Sequence, residues 1–262
     1  MNFLSRRSVN TKYNIISSLL LVALFMALAY SSYRREQSLI LKGAIDNART
    51  ISRQIIETRD YLSRSVTTEP EHNESLIPQV AASRVAQRLT SGSGYYVRQV
   101  SLRYRNPDNR PDSFETAQLT TFRDVKAIET WQVTKEQGNK SLRYLLPMLA
   151  DQSCLTCHGS YDTAPGFVQK RFPRGHFSYG YKIGEVIGAV SVSVPMEGLY
   201  LQIGVNLKRD ILYDGLVLLI FITISGWIIH RTFADTNKSQ VGTVPPDVFA
   251  AAERQPGSPP AA

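Results

Sequence analysis

The residues with the most specific chemistry in this sequence lie in the stretch SCLTCHG, at positions 153–159. Two residues separate Cys154 from Cys157, and His158 follows directly, which is the attachment signature of a c-type haem. In such a motif both thiols form thioether bonds with the porphyrin vinyl groups, and the histidine lies under the ring, where it can bind iron. The sequence therefore predicts one covalently attached haem c per chain, held by Cys154 and Cys157, with His158 as an axial ligand of the iron.

Cysteine pairs with this spacing also occur in zinc sites, in thioredoxin-like redox pairs and in disulfides. The chain has only two cysteines, and His72 and His176 lack the spacing of a Cys2His2 zinc site. No βαβ pattern surrounds the motif, as a thioredoxin-like pair would require. A plain disulfide remains an alternative, but haem attachment also accounts for the histidine of the motif, and we adopt it.

The charge of the chain favours a membrane over nucleic acid as its partner. The 262 residues carry a formal net charge of +8, which is compatible with either an anionic membrane surface or nucleic acid. The lysines and arginines are scattered, and no nucleic-acid-binding motif is present. We therefore expect no nucleic-acid partner.

Two apolar stretches are each long enough to cross a bilayer, which needs about 20 apolar residues. Residues 13–33 include IISSLLLVALFMALAY, and residues 211–233 include GLVLLIFITISGWII. We predict a transmembrane helix in each. The first could instead be a cleaved signal peptide, because residues 27–29 have the Ala-x-Ala form of a cleavage site. Its continuation into a helix-like sequence without a break favours an uncleaved anchor.

The two spans divide the chain into a cytoplasmic N-terminus at 1–12, an outer domain at 34–210 and a cytoplasmic tail at 234–262. The tail is rich in proline and alanine, and we predict that it is disordered. Basic residues flank both sides of the spans and do not set the orientation. Because bacteria attach haem covalently outside the cytoplasm, we expect the outer domain in the periplasm and the protein in the inner membrane.

Apolar periodicity and capping signals predict an α+β outer domain. A long helix should continue the first span to about Arg64, and a second should run from Glu74 or Pro78 to Leu89. Asp112 and Glu115 have the capping-box form at the start of a third helix, which should end near Phe122. About five antiparallel strands are expected, with the haem motif on the loop before the last hairpin. The predicted strands are residues 95–104, 129–133, 141–146, 177–182 and 185–194.

Three sequence blocks carry a resemblance to a known family. They are SLRYRNPDNRPDSFE at 101–115, YLLPMLADQSCLTCHGSYDTAP at 144–165 and GYKIGEVIGAVSVSVP at 180–195. In their order and spacing, over roughly residues 35–200, the chain resembles a family of membrane-anchored c-type haem proteins with a periplasmic sensor domain. The resemblance implies a PAS-like antiparallel sheet. Because that family often carries kinase, cyclase or methyl-acceptor outputs, it also implies sensing of redox state or of a small gas.

The chain departs from that family in two respects. It has no fused output domain, so a signal would need a partner protein. Some members supply a cysteine from the N-terminal helical region as the second iron ligand, and this chain has no third cysteine. Water or a vacant position would replace that ligand, unless a side chain of this chain takes its place. The candidate side chains are His72, His176, Met148 and Met196. Arg103 and Arg105 are candidates for contacts with the haem propionates.

Two functions are compatible with these features. The first is a periplasmic redox or gas sensor module that passes its state to a partner, and the second is a membrane-tethered electron-transfer cytochrome. The lack of a fused output favours the second, whereas the PAS-like blocks and the two-span layout favour the first, which we adopt. No acid–base pair or nucleophile accompanies the motif, so we expect no enzymatic activity. We also expect a homodimer with a signalling or redox protein partner.

Overall fold

A computed structural model of the chain describes residues 9–66, 71–136 and 138–241. The chain forms two units. One is the domain Arg35–Ile203, which contains the sheet and the Cys-x-x-Cys-His motif. The other combines the residues before this domain with those after it.

Two long helices contain the apolar stretches. Helix α1 runs over Val9–Ser65 and helix α6 over Glu197–Val241. Each is long and apolar enough to cross a membrane, with windows of mean hydropathy 2.1 and 2.0. The predicted continuation of the first apolar stretch into a helix is confirmed. The prediction of a disordered tail is wrong for residues 234–241, which extend α6, and residues 242–262 lie outside the described part of the chain.

Two further helices of the domain form where the sequence predicts them. Helix α2 covers Pro78–Thr90, with proline at its first turn, where the missing N–H costs nothing. Helix α3 covers Ser113–Val125 and begins with the predicted capping box. The Asp112 carboxylate accepts the Glu115 N–H at 2.8 Å, and the Glu115 carboxylate accepts the Asp112 N–H at 2.9 Å.

One antiparallel sheet forms the centre of the domain. Its strands are β1 (Tyr96–Val100), β2 (Thr130–Glu136), β3 (Asn139–Leu149) and β4 (Val186–Pro195), in the order β1-β4-β3-β2. The predicted hairpin is confirmed as β2 and β3, and Gly138 in its turn has a φ of +94°, which suits glycine.

The prediction of a strand at residues 177–182 is wrong, and so is the hairpin that it was expected to form with β4. Strand β4 pairs with β1 and β3 instead. The backbone of the predicted strand bonds to the end of the Cys-x-x-Cys-His motif. The Gly180 N–H donates to the Gly159 carbonyl at 2.7 Å, and the Tyr181 N–H donates to the His158 carbonyl at 3.1 Å. These bonds replace the ladder of a hairpin.

The sheet has a core on each face. On one face, α1 and α2 cover a large cluster that includes Ile55, Tyr144 and Val192, all at most 2% exposed. On the other face, Leu119 and Phe122 of α3 pack on the sheet. Because side chains alternate along a strand, consecutive residues of β3 and β4 contribute to opposite cores.

Candidate functional site

The Cys-x-x-Cys-His motif lies on a short helix, α4 (Gln152–His158), rather than on the predicted loop. Asp151 caps this helix by accepting the Cys154 N–H at 3.0 Å and the Ser153 hydroxyl at 2.6 Å. Burial alone would raise the pKa of Asp151, but the hydrogen bonds from Ser153 and Cys154, together with the charge of Arg59, lower the pKa to about 2. At neutral pH the cap is therefore an ionised carboxylate.

Both cysteines of the motif are free and half-buried. Cys154 and Cys157 are three residues apart on α4, a spacing that puts two side chains on one face of a helix. Burial raises the pKa of both thiols, so they stay protonated at neutral pH. A pair of free thiols on one helix face is the arrangement that addition to two vinyl groups requires.

His158 presents one ring nitrogen to the protein and keeps the other for a ligand. Its Nδ1 lies 3.0 Å from the Ser178 carbonyl oxygen. Since a carbonyl only accepts hydrogen bonds, the proton is on Nδ1. Burial, reinforced by the Arg105 guanidinium, lowers the pKa of His158 to about 4, so the ring is neutral. The lone pair of Nε2 is then available to bind a metal ion, and the Nδ1 hydrogen bond fixes the ring's orientation.

The segment Phe177–Tyr181, called the strap below, holds the motif from behind. Besides accepting the His158 proton through Ser178, it donates two backbone N–H groups to the carbonyls of His158 and Gly159. The ring of Tyr181 lies edge-on to the imidazole, with 5.9 Å between the ring centroids. The imidazole is therefore fixed by a hydrogen bond and by a ring contact.

Two arginines fasten the strap in turn. Arg103 donates to the Phe177 carbonyl at 2.5 Å and to the Tyr179 carbonyl. Arg105 donates from Nε to the Ser178 hydroxyl at 2.8 Å and from Nη2 to the Cys157 carbonyl at 2.7 Å. The sequence made both arginines candidates for propionate contacts. In the structure, the donors named here bind the strap and the motif, and contacts with propionates stay a prediction.

Helix α1 also contributes to the site. The hydroxyl oxygens of Ser153 and Ser63 lie 3.1 Å apart. Arg59, only 7% exposed, lies close enough for its charge to lower the pKa values of Asp151 and His158, although burial is the larger influence on both groups. The site is therefore formed by α1, α4, the strap and the segment that carries Arg105.

The donor set suits a haem better than a bare ion. Within the part of the chain that the structure describes, no three histidine, cysteine or acidic side chains are grouped so that they could hold a metal ion. Two free thiols and one imidazole with a free Nε2 match the two vinyl groups and one axial position of a covalently attached haem. The residues of the motif therefore fit that group.

Comparison with known proteins places the chain in a family. The model of the Tll0287-like family matches residues 35–195. The chain belongs to the Tll0287-like family. A similar solved structure is that of the cyanobacterial heme-protein Tll0287, with 25% sequence identity, a TM-score of 0.49 and a match covering 58% of this chain and 95% of that chain. No curated protein matches the chain.

The Tll0287-like match covers nearly the range over which the three sequence blocks indicated a family. Membership of a family in this range is thereby confirmed. Membrane anchoring and a PAS-like sensor role, which the resemblance also implied, stay predictions for this Tll0287-like protein.

The structure separates the four candidates for the second axial ligand. His176 bonds through Nδ1 to the Ser178 hydroxyl at 2.8 Å and stacks on Phe177. Ser178 therefore holds both imidazoles, His158 through its carbonyl and His176 through its hydroxyl. In this arrangement His176 is a support of the strap.

Both methionines are core residues of this Tll0287-like domain. Met148 is 4% exposed, and Met196 is fully buried. The Met196 N–H bonds to the Lys140 carbonyl at the start of β3, while α4 follows the end of that strand. Nine residues of strand separate the two ends by roughly 30 Å. Met196 is therefore too far from the motif to bind the same iron as His158.

His72 remains as the exposed candidate. It lies between α1 and α2, and the neighbouring Glu74 forms a 2.8 Å ion pair with Arg171 of helix α5 (Gly166–Arg171), which follows the motif in sequence. Among the described residues, His72 has no hydrogen-bond partner. Its segment thus contacts α5, and its side chain is exposed.

Sequence reasoning missed four residues of the site: Arg59, Ser63, Asp151 and Ser178. Asp151 carried a signal, because an aspartate before a short polar run is a typical helix cap. Ser178 and Ser63 carried none, since each acts through a partner far away in sequence. Arg59 resembles any other basic residue of a long helix until its burial is known.

Proposed function

We propose that this Tll0287-like protein is a membrane-anchored mono-haem c-type cytochrome whose outer domain is a PAS-like periplasmic sensor of redox state or of a small gas. One observation carries the proposal. In a motif with two free thiols, the His158 Nδ1–H is bound to the Ser178 carbonyl, which keeps Nε2 for iron. The haem-protein title of the similar solved structure supports the choice of cofactor.

Each residue of the motif has a defined task in this proposal. Cys154 and Cys157 attach the porphyrin through thioether bonds, and His158 binds the iron through Nε2. The haem, when bound, supplies an iron that changes oxidation state and can take a gas as a sixth ligand. The strap holds the imidazole in one orientation, and Asp151 holds the helix that carries both cysteines.

The lack of a well-placed side chain for the second axial position favours sensing over electron transfer. His176 supports the strap, Met196 is far from the motif and Met148 packs in the core. Water, a vacant position or the exposed His72 are left, and the first two would leave the position open. A gas sensor needs such a position because the gas must occupy it.

The route by which the site could signal is short. Ser153, beside Cys154, contacts Ser63 near the end of α1, and the same helix includes the first apolar stretch. We propose that the homodimer passes a change at the haem along α1 to a signalling or redox partner, without enzymatic activity of its own.

Gas binding is the experiment that tests the sensor function. We expect the reduced, haem-loaded protein to bind carbon monoxide or nitric oxide readily, with a clear shift of its Soret band. Redox sensing without gas binding is tested by a partner whose activity follows the oxidation state of the haem.

The alternative is a membrane-tethered electron-transfer cytochrome. One observation favours it: the two cysteines are only half-buried, which would bring one haem edge near the surface and allow fast electron exchange. A reduced protein that is inert to both gases, and that exchanges electrons quickly with a quinol oxidoreductase or a soluble cytochrome, would support this alternative against gas sensing.

The proposal includes the topology expected from the sequence. The apolar stretches of α1 and α6 would span the bacterial inner membrane, with residues 34–210 in the periplasm and both termini in the cytoplasm. A reporter after Ala262 should then behave as cytoplasmic, and one inserted at Gly138 as periplasmic. A mature N-terminus at Tyr30 would instead identify the first stretch as a cleaved signal peptide.

A further inference from the structure

A cation without a carboxylate partner lies behind the iron ligand. The guanidinium of Arg105 donates to a hydroxyl and to a carbonyl, both neutral acceptors. The rings of Phe172 and Tyr179 flank it, at 4.8 and 4.9 Å from their centroids. Within the described residues, no aspartate or glutamate forms an ion pair with Arg105. Among the described residues, no carboxylate therefore neutralises its charge directly.

The two acceptors of Arg105 surround the hydrogen bond that orients His158. Ser178, whose hydroxyl accepts the Nε–H, uses its own carbonyl to accept the His158 proton. Cys157, whose carbonyl accepts the Nη2–H, is the residue before His158. One planar guanidinium thus bridges the donor side and the acceptor side of the bond. Lysine cannot reproduce this fork geometry.

The environment of Arg105 strengthens its electrostatic effect. Ser178 is fully buried, and burial lowers the pKa of Arg105, although an arginine in a protein remains charged. A fixed cation in a region of low dielectric acts on nearby charges more strongly than one in water.

We propose that Arg105 is a positioning residue that locks His158 in its ligating orientation and, as a fixed cation, raises the reduction potential of the haem. This inference rests on the proposed haem site. Reduction adds one electron and lowers the net charge of the site by one, so a nearby positive charge stabilises the reduced form. Net charge and hydrogen bonding around the ligands are the means by which a protein sets such a potential.

The test is a redox titration of the full-length, haem-loaded protein in detergent. We expect Arg105→Gln to lower the midpoint potential. Arg105→Lys keeps the charge and should stay closer to the parent. Arg123→Gln is the matched control, because Arg123 is 63% exposed and lies on α3 beside Asp124, and its potential should equal that of the parent.

The outcomes separate the inference from the proposed function. A parent without covalent haem contradicts the proposed function itself. A haem-loaded Arg105→Gln protein with the parent's potential overturns the inference alone, and so does an equal shift in the Gln and Lys variants accompanied by an equal loss of thermal stability, which would indicate packing alone.

If Arg105→Gln does not load haem, Ser178→Ala takes its place. This variant removes the acceptor of the Arg105 Nε–H but leaves the carbonyl that binds His158. We expect its potential to fall by less than a full loss of the charge would cause, and a potential equal to that of the parent would overturn the inference.

Discussion

Replacing Glu129 with glutamine should weaken the contact between α1 and the sheet. Its carboxylate accepts two hydrogen bonds from Arg49 of α1, both at 2.7 Å, and one from the buried Tyr144 hydroxyl at 2.7 Å. Glutamine has nearly the same shape but carries no charge. It would leave the Tyr144 hydroxyl and the Arg49 guanidinium with a neutral partner.

The pKa of Glu129 sets an upper limit to the effect. The hydrogen bonds from Arg49, which outweigh burial, lower this pKa from 4.5 to about 2. Because one pKa unit equals about 1.4 kcal/mol, the network stabilises the folded state by about 3 kcal/mol at most. The Glu129 side chain is 23% exposed, so solvent screens part of this energy. We expect Glu129→Gln to lower the free energy of unfolding by about 2 kcal/mol at pH 7.

The stabilisation should depend on pH in a defined direction. Since folding lowers the Glu129 pKa, its contribution is complete above about pH 5 and is lost as the pH falls through 4.5 towards 2. The difference between parent and variant should therefore shrink between pH 5 and pH 3. Urea unfolding of the full-length protein in detergent, followed by circular dichroism, measures it. Glu57→Gln on the exposed face of α1 is the control, with no expected change.

Two results would refute this reasoning. One is a Glu129→Gln protein as stable as the parent at pH 7, which would mean that the charge of Glu129 contributes no net free energy of folding. The other is a difference that stays constant down to pH 3, which would attribute the loss to shape rather than to charge.

Two further substitutions test the strands and the motif helix. Gly188→Ala should strongly destabilise the domain, because an added Cβ would lie 2.5 Å from the Val100 carbonyl oxygen in the neighbouring strand. Gly198→Ala is the control and should be tolerated, because the space around Gly198 is open. Thermal unfolding of the two variants distinguishes them. Asp151→Asn keeps a capping side chain but removes its charge, so we expect the free energy of unfolding to fall by up to about 1 kcal/mol. As a separate readout, we expect a lower yield of haem-loaded protein. An unchanged stability and yield would show that the ionised cap is not needed.

Local signals allowed much of the helical structure to be predicted. The capping box at Asp112 and Glu115 gave the start of α3, because both partners lie within one turn of the chain. The apolar periodicity after residue 35 gave α1, and the alternation in residues 186–194 gave β4. For the two helices, the interactions that form the element lie within a few residues of sequence. Strand β4 pairs with distant strands, and only its alternation could be read locally.

Long-range interactions explain the main error. Residues 177–182 have the composition of a strand, but their backbone donors bond to carbonyls of the motif about 20 residues earlier in sequence. The strap has no local signature, because its hydrogen bonds and its two arginines come from distant segments. The same limit applies to Ser63 and Arg59, which reach the site only through the packing of α1. The motif itself could be identified because its chemistry is contained in five consecutive residues.

The central claim is that Cys154 and Cys157 hold a haem covalently, with His158 ready to bind its iron. Haem staining after denaturing electrophoresis tests it most directly, on the full-length protein co-expressed with a haem-attachment system. The account predicts that the parent keeps its stain, while the double variant Cys154→Ala, Cys157→Ala loses it. A parent that carries no haem but binds stoichiometric zinc, or a double variant that stains like the parent, would contradict the account.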